Sequence, residues 1–142
     1  MKFKRGFTLI ELLVVIAIIG ILSSVVLSSL SLARTKSYDA KVQGQLSHLR
    51  AAAEIYQVTN GNYGASTFSC SSGMFADTSS GLARLSISVN YPVGENTIIC
   101  NSNGTAYAVS DNLSATSTYW CVDSTGASKL ESASVGSSTS CL

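Results

Sequence analysis

The sequence predicts an α+β fold in which a long N-terminal α-helix packs on a small antiparallel β-sheet head that contains disulfides. Three observations lead to this prediction. Residues 7–33 form an apolar run in which Glu11 is the only charged residue. Residues 34–60 continue with apolar side chains at helical spacing. Residues 61–142 change to a composition rich in Ser, Thr, Gly and Asn, contain short β-type segments and carry all four cysteines, which indicates a globular head.

Charge is distributed unevenly along the 142 residues. The chain is 46% hydrophobic and 12% charged, with a net charge of +1, and its length is that of one ordinary domain. Three basic residues, Lys2, Lys4 and Arg5, precede the apolar run, whereas residues 61–142 contain two basic and five acidic side chains. A head that is acidic on balance lacks the basic patch that nucleic acids require, so composition gives no strong nucleic-acid signal.

The apolar run fits more than one kind of segment. Basic residues, an apolar core and the site Ser31-Leu32-Ala33, with small residues at its first and third positions, fit a secretory signal that signal peptidase removes. As a helix, the run also spans roughly 39 Å, enough for an uncleaved membrane anchor. Neither interpretation accounts for Glu11, because a carboxylate inside a spanning helix costs on the order of 2.5–3.5 kcal/mol.

A third interpretation rests on the stretch KRGFTLIE, residues 4–11, and the apolar run that follows it. This stretch resembles the class III signal of type IV pilins and of the related type II secretion pseudopilins. The resemblance implies that a prepilin peptidase removes residues 1–6 as a leader by cutting between Gly6 and Phe7. It also implies that Phe7 becomes the N-methylated terminus and that Glu11 is the acidic residue of the family.

We interpret Glu11 and the new terminus of Phe7 as assembly residues. A neighbouring subunit, shifted along a filament axis, brings its Phe7 amine against this carboxylate. A buried ion pair that lacks one partner is penalised by about 3–5 kcal/mol, so pairing favours one stagger of subunits. The alternative is that Glu11 only reaches the lipid headgroups from its position near the cytoplasmic end.

The helix is predicted to continue beyond the apolar run to Thr59, as in the family, with a total length of roughly 80 Å. An average spacing of 3.6 residues predicts that one face of the second half packs on the head. Asn60-Gly61 is a helix stop signal. The predicted packing face comprises Tyr38, Val42, Leu46, Leu49, Ala53 and Tyr56.

The predicted helix contains two glycines, and the only proline of the sequence lies outside it. Gly20 and Gly44 each cost about 1 kcal/mol relative to Ala. We expect Gly20 to allow close helix packing or local unwinding, and Gly44 to admit a bulky head residue. Many major pilins carry a proline in the first half of the helix, whereas Pro92 lies far downstream. This feature favours a pseudopilin over a pilin.

The head is predicted to begin with a connecting loop over residues 61–81, which show no period and many turn-forming residues. Alternation over residues 82–89 predicts a short edge strand. In pilins, a variable exposed loop lies between helix and sheet at this place.

An antiparallel meander is predicted after the loop. Residues 97–102 and 105–110 flank Asn103-Gly104, a two-residue hairpin turn. Residues 117–122 form a third strand that ends at a turn. One face of this meander is expected to pack on the amphipathic helix.

The cysteines, Cys70, Cys100, Cys121 and Cys141, form no CxxC pair, which disfavours zinc and indicates two disulfides in an oxidising compartment. Three connectivities exist. A Cys100–Cys121 bond is disfavoured, because an intervening strand puts the two Cα atoms about 9–10 Å apart. We prefer Cys70–Cys100, which ties the loop to the sheet, and Cys121–Cys141, which pins the C-terminal tail and resembles the disulfide-bounded D-region of the family.

No motif in the chain points to a catalytic or cofactor site. His48 is the only histidine and lies off the apolar stripe, and no Ser-His-Asp or Cys-His set can be argued into contact. Asp111 and Asp123 could contribute to calcium binding, as in some major pseudopilins, but no EF-hand spacing supports this. Trp120 and Tyr107 are interpreted as core residues. We expect a protein that is not an enzyme and needs no cofactor.

The resemblance implies a structural subunit of a type IV pilus-like filament that serves adhesion, motility or DNA uptake. The expected partners are identical or homologous pilin subunits, the prepilin peptidase, the pilus or secretion assembly machinery and, before assembly, membrane lipid. The subunit is expected to cross the cytoplasmic membrane once, with a cytoplasmic N terminus, and then to join an extracellular or periplasmic filament. The alternatives are a type II secretion pseudopilin and a secreted, disulfide-bonded binding domain.

N-terminal sequencing and intact-mass measurement of the mature protein separate these alternatives. A filament subunit is expected to begin at Phe7 and to carry one additional methyl group. A secreted binding domain begins instead between Ser31 and Arg34. A mature chain that still contains residues 1–6 contradicts both predictions.

Overall fold

The structure is a computed structural model that describes residues 6–91, 98–114 and 118–142. It confirms the α+β prediction, because one long helix is followed by a four-stranded antiparallel sheet and two disulfides. Residues 1–34 and residues 35–142 form two compact units. In chain order, the elements are helix α1 (Leu9–Asn60), a 3-10 turn (Gly73–Ala76), helix α2 (Leu82–Leu85), a second 3-10 turn (Ser88–Asn90), and strands β1 (Ile99–Ser102), β2 (Tyr107–Asn112), β3 (Tyr119–Asp123) and β4 (Ser128–Glu131).

In the first unit, α1 is apolar on every side. All described residues from Gly6 to Arg34 are exposed, and the large apolar side chains include Phe7 at 84% exposure. By length and composition alone, this helix can cross a membrane. A helix without a polar face is unsuited to water and needs lipid or other protein around it.

In the second unit, α1 buries one face. Full burial of each large aliphatic side chain contributes about 1.5–3 kcal/mol to stability. Tyr38, however, is 44% exposed, so the buried face begins one turn later than the spacing predicts. The helix ends at Asn60, followed by Gly61 with φ of +78°, a left-handed cap that favours glycine. The buried residues of α1 are Val42, Leu46, Leu49, Ala52 and Ala53.

The prediction that Gly44 admits a bulky head residue is wrong. Gly44 is exposed, and a Cβ built on it would meet nothing within 4 Å. A Cβ on Gly20 would likewise meet nothing within 4 Å. Since the described contacts within the subunit do not require either glycine, their helix-weakening effect of about 1 kcal/mol each is uncompensated within one subunit.

The segment after α1 is more than a surface loop, because part of it enters the core. Met74 and Phe75, in the first 3-10 turn, are fully buried. Thr67 exchanges two backbone hydrogen bonds, of 3.0 and 2.9 Å, with Ser102 of β1. This bridge covers the outer edge of β1. Gly73 has φ of +58°, and a Cβ there would lie 2.9 Å from Cγ2 of Thr67, so the approach requires glycine.

The edge strand predicted over residues 82–89 is wrong. This stretch instead contains α2 and most of the second 3-10 turn. Leu82 is fully buried and Leu85 packs against the same core, as side chains three residues apart on one helical turn can do. Ile87 and Val89, which produced the alternation, are 46% and 82% exposed. Burial of the two leucines therefore decides the local structure.

The strands pair in the order β1-β2-β3-β4, and every neighbouring pair is antiparallel. The predicted meander is therefore present, with an additional strand. Strand β2 begins and ends two residues later than predicted, and residues 97 and 117, at the predicted starts of two strands, lie outside the described residues. Strand β4 was not predicted, because its four residues are mostly exposed and show no hydrophobic alternation.

The turn between β1 and β2 lies one residue later than predicted. Asn103 donates its backbone N–H to the carbonyl of Ala106 at 3.0 Å, so the two turn residues are Gly104 and Thr105. Gly104 has φ of +87°, the conformation that hairpin turns require at this position. Oδ1 of Asn103 accepts the backbone N–H groups of Thr105 and Ala106 at 3.2 and 2.8 Å. Asn103 thus stabilises the turn from the position before it.

The sheet is covered on both faces. Cys100, Val109 and Val122 lie opposite one another across β1, β2 and β3 and belong to the same core as the buried face of α1. Ala108 and Cys121 point to the other face and form a smaller core with Val135, which follows β4.

The C-terminal segment is fastened to that second face by hydrogen bonds. Nδ2 of Asn101 donates to the carbonyls of Gly136 and Ser138 at 2.9 and 2.6 Å. Val135 donates its N–H to Oγ of Ser110 at 3.0 Å. The last residues of the chain are therefore part of the folded head.

The disulfides join Cys70 to Cys100 and Cys121 to Cys141, the pairing preferred from the sequence. Their Cα atoms are 5.0 and 5.8 Å apart. The first bond ties the segment after α1 to β1, and the second ties the C-terminal segment to β3. By closing a loop of this size, each disulfide contributes roughly 3 kcal/mol to the stability of the folded chain.

A buried carboxylate holds the same C-terminal segment. Oδ1 of Asp123 accepts the N–H and hydroxyl of Thr125 at 2.9 and 2.7 Å and the N–H of Ala127 at 3.2 Å. Its Oδ2 accepts the N–H of Cys141 at 2.8 Å. Burial opposes ionisation, but the hydrogen bonds outweigh it and lower the pKa of Asp123 below its ordinary value.

Asp123→Asn is expected to lower the free energy of unfolding by about 1–3 kcal/mol at pH 7, because the amide cannot accept all these donors. The lowered pKa in the folded chain means that the stabilisation is fully present above the unfolded pKa of about 3.9 and is lost as pH falls through the folded pKa. Urea unfolding in detergent, followed by fluorescence of Trp120, measures both effects. Glu131→Gln, at an ion pair partly open to solvent, serves as the control. Equal stability of Asp123→Asn and the native chain at pH 7 contradicts this role.

Candidate processing and assembly site

The predicted cleavage point lies immediately before α1. The helix begins at Leu9, and Gly6, Phe7 and Thr8 precede it in non-helical, exposed backbone. Peptidases act most readily on exposed backbone outside regular structure. The bond between Gly6 and Phe7 is therefore accessible in the structure.

The first turn of α1 is closed by a reciprocal capping box. Thr8 donates its backbone N–H and its hydroxyl to Oε2 of Glu11, at 2.8 and 2.6 Å. In return, Glu11 donates its backbone N–H to Oγ1 of Thr8 at 3.3 Å. Thr8 is thus the N-cap of the helix, and Glu11 occupies the third helical position.

This arrangement gives Glu11 a local role that does not depend on another subunit. The first N–H groups of a helix have no partner within the helix. Each unsatisfied group costs several kcal/mol in hydrocarbon, where water cannot replace the partner. Glu11 also places negative charge at the positive end of the helix dipole, which is favourable.

The structure brings Gly6, Phe7 and Glu11 together at one end of an exposed apolar helix. Sequence reasoning did not single out Thr8. The spacing of Thr8 and Glu11, a Thr followed three residues later by a Glu, is the sequence signature of a capping box and could have identified the pair.

The remaining candidates in the described part of the chain form no second site. His48 is exposed. The strand register places Asp111 and Asp123 on opposite faces of the sheet, so they cannot share a cation. Within residues 6–91, 98–114 and 118–142, no group of three or more His, Cys, Asp or Glu side chains is arranged to hold a metal ion.

The aromatic residues of the sheet serve the core. Tyr107 is fully buried, and its ring lies edge-on to Tyr63 with a centroid distance of 4.9 Å. Burial, together with the charge of Glu54, raises the pKa of Tyr107 above its ordinary value. Trp120 is partly buried against the same core. Both residues are therefore core residues, as interpreted from the sequence.

An open cavity of about 610 Å³ lies beside the Cys70–Cys100 disulfide. Phe68, Phe75 and Ile87 line it together with small and hydroxyl side chains. Its described lining contains no ionisable side chain, so it offers no general acid or base.

Exposed backbone at the predicted cleavage point, a capped helix start and a helix that is apolar on every side fit a prepilin-type N terminus, followed here by an α+β head. A family model described as a prokaryotic N-terminal methylation motif matches residues 1–27. The chain carries this prepilin motif, and its N-terminal region is homologous to those of type IV pilins and type II secretion pseudopilins.

Similar proteins of both kinds align with the chain. The type IV wide pilus major component PilA4 of Thermus thermophilus is 44% identical over 63 residues, which are 44% of this chain and 48% of that protein. The type II secretion system core protein G of Klebsiella pneumoniae is 40% identical over 63 residues, 44% of this chain and 45% of that protein. The type IV major alpha-pilin of Moraxella bovis is 43% identical over 54 residues, 38% of this chain and 34% of that protein.

The alignments therefore span less than half the length of each of these relatives. No solved structure matches the chain.

Proposed function

We propose that this chain is a structural subunit of a type IV pilus-like filament and that it polymerises through residues 7–33. The observation that carries the proposal is the position of Glu11. It is the only charged side chain in this segment, which is otherwise apolar, and it lies one helical turn after the predicted cleavage bond. The α+β architecture and the similarity to pilins and pseudopilins support the same assignment.

Processing precedes assembly in this proposal. A prepilin peptidase removes residues 1–6 between Gly6 and Phe7, and the new amine of Phe7 is methylated. The accessible backbone ahead of α1 and the match to the methylation motif support this step. Removal of the leader also removes the basic residues that hold the N terminus at the cytoplasmic face.

Assembly then pairs two charged groups, each of which is energetically unfavourable when it lies alone in apolar surroundings. Within apolar surroundings, the Phe7 amine of one subunit neutralises the Glu11 carboxylate of its neighbour. Loss of one partner from such a pair costs about 3–5 kcal/mol, so subunits at the wrong axial stagger are disfavoured. The exposed apolar side chains of residues 7–33 supply the remaining contact area.

A pseudopilin of a type II secretion system is the second candidate. The similarity to the core protein G of Klebsiella pneumoniae favours it, and so does the absence of a proline from residues 7–60. The two disulfides favour a subunit that is exposed outside the cytoplasm in either case.

The proposed location follows from the two parts of the chain. Before assembly, residues 7–33 cross the cytoplasmic membrane once, with the N terminus in the cytoplasm, and the disulfide-bonded head lies on the oxidising side. After assembly, the subunit belongs to an extracellular or periplasmic filament. Its role there is structural, in adhesion, motility or DNA uptake, and its partners are further pilin subunits and the assembly machinery.

Glu11→Leu and Glu11→Gln test the proposal. Both variants are expected to insert into the membrane as the native chain does and to lose filament assembly by at least tenfold, because the Phe7 amine of the neighbour then lacks its carboxylate. Membrane fractionation measures insertion, and quantification of sheared filaments measures assembly.

Lys41→Gln is the matched control, since it removes an exposed charge from the second half of the same helix. It is expected to assemble normally. If Glu11→Leu forms native amounts of filament, the proposed assembly role of Glu11 is wrong.

A further inference from the structure

Thr8 restrains the carboxylate on which assembly is proposed to depend, through both its backbone N–H and its hydroxyl. Both hydrogen bonds that Thr8 donates end on Oε2 of Glu11, at 2.8 Å from the backbone N–H and 2.6 Å from the hydroxyl. The return bond from the Glu11 N–H to Oγ1 of Thr8 is 3.3 Å long. Three bonds between two residues fix the carboxylate over the first turn of the helix.

A carboxylate has about four acceptor positions on its two oxygens. Because both bonds from Thr8 use Oε2, Oε1 is the oxygen that remains to accept another donor. The capping box is therefore compatible with an ion pair to an incoming amine, and it removes the rotamer freedom that Glu11 would otherwise lose on pairing.

Cleavage leaves the box intact. The predicted cut falls between Gly6 and Phe7, so Thr8 keeps its amide N–H and its hydroxyl in the mature chain. The new amine then stands one residue ahead of the N-cap. The same local geometry can therefore act before and after processing.

We propose that Thr8 is a positioning residue that holds Glu11 folded back on the helix N terminus, and thereby presents its second carboxylate oxygen to the amine of an adjoining subunit. This inference rests on the proposed function. In the unassembled subunit, the same bonds satisfy two backbone groups that would be unpaired in lipid.

Thr8→Val removes the hydroxyl with little change of shape, and Thr8→Ser retains the hydroxyl. Thr8→Val is expected to yield about fivefold fewer filaments, the change that corresponds to the loss of a typical N-cap. Thr8→Ser is expected to assemble like the native chain. Intact mass of each membrane-bound subunit reports whether cleavage and methylation have occurred.

Glu11→Gln, measured in parallel, separates the two proposals, since Gln can still close a capping box but carries no charge. Normal assembly of Glu11→Gln defeats the proposed function. If Thr8→Val assembles normally, or if Thr8→Ser loses as much filament as Thr8→Val, the positioning role of Thr8 is wrong. Neither result contradicts the proposed function of Glu11.

Amide hydrogen exchange of the full chain in detergent micelles provides a second readout that does not require cleavage. The Glu11 N–H is expected to exchange several-fold faster in Thr8→Val than in Thr8→Ser, because its acceptor is lost. If Thr8→Val is not cleaved, filament yield cannot be interpreted and the hydrogen-exchange measurement tests the positioning role instead. Equal exchange rates of the Glu11 N–H in Thr8→Val and Thr8→Ser contradict that role.

Discussion

A single helix must satisfy two environments, and the remainder of the structure follows from this constraint. Up to about residue 34, the surface of α1 is apolar on every side and fully exposed within the subunit. From Val42 onward, one face is buried and the other is exposed to solvent. The first pattern requires lipid or other subunits around it, and the second requires a folded head on one side.

The head is small, and its stability depends on covering both faces of its sheet. A sheet of four short strands cannot bury much apolar surface alone. The buried face of α1 belongs to the same core as one face of the sheet, and the C-terminal segment covers the other. The C-terminal segment is held to the sheet by hydrogen bonds to Asp123 and Asn101 and by the Cys121–Cys141 disulfide, and the Cys70–Cys100 disulfide joins the segment after α1 to β1.

The capping box connects the chemistry of Glu11 with the folding of its own helix. An ionised group in apolar surroundings is unfavourable unless hydrogen bonds or an opposite charge compensate it. Thr8 supplies the hydrogen bonds within the subunit, and the proposed neighbour supplies the charge. Local helix capping and subunit pairing thus use different acceptor positions of one carboxylate.

The sequence by itself determined the features that depend on local pattern: the long helix, its change of surface, the prepilin motif with Gly6, Phe7 and Glu11, and the meander. Only the tertiary structure decided whether residues 82–89 form a strand, what surrounds Gly44, and how the C-terminal segment covers the sheet. The first and the last depend on contacts between residues far apart in sequence, such as Leu82 with the core or Asn101 with Gly136, and Gly44 proves to have no neighbour within 4 Å of the position of a Cβ. Thr8 differs from these features, because the capping pattern that it forms with Glu11 is local and could have been recognised in the sequence.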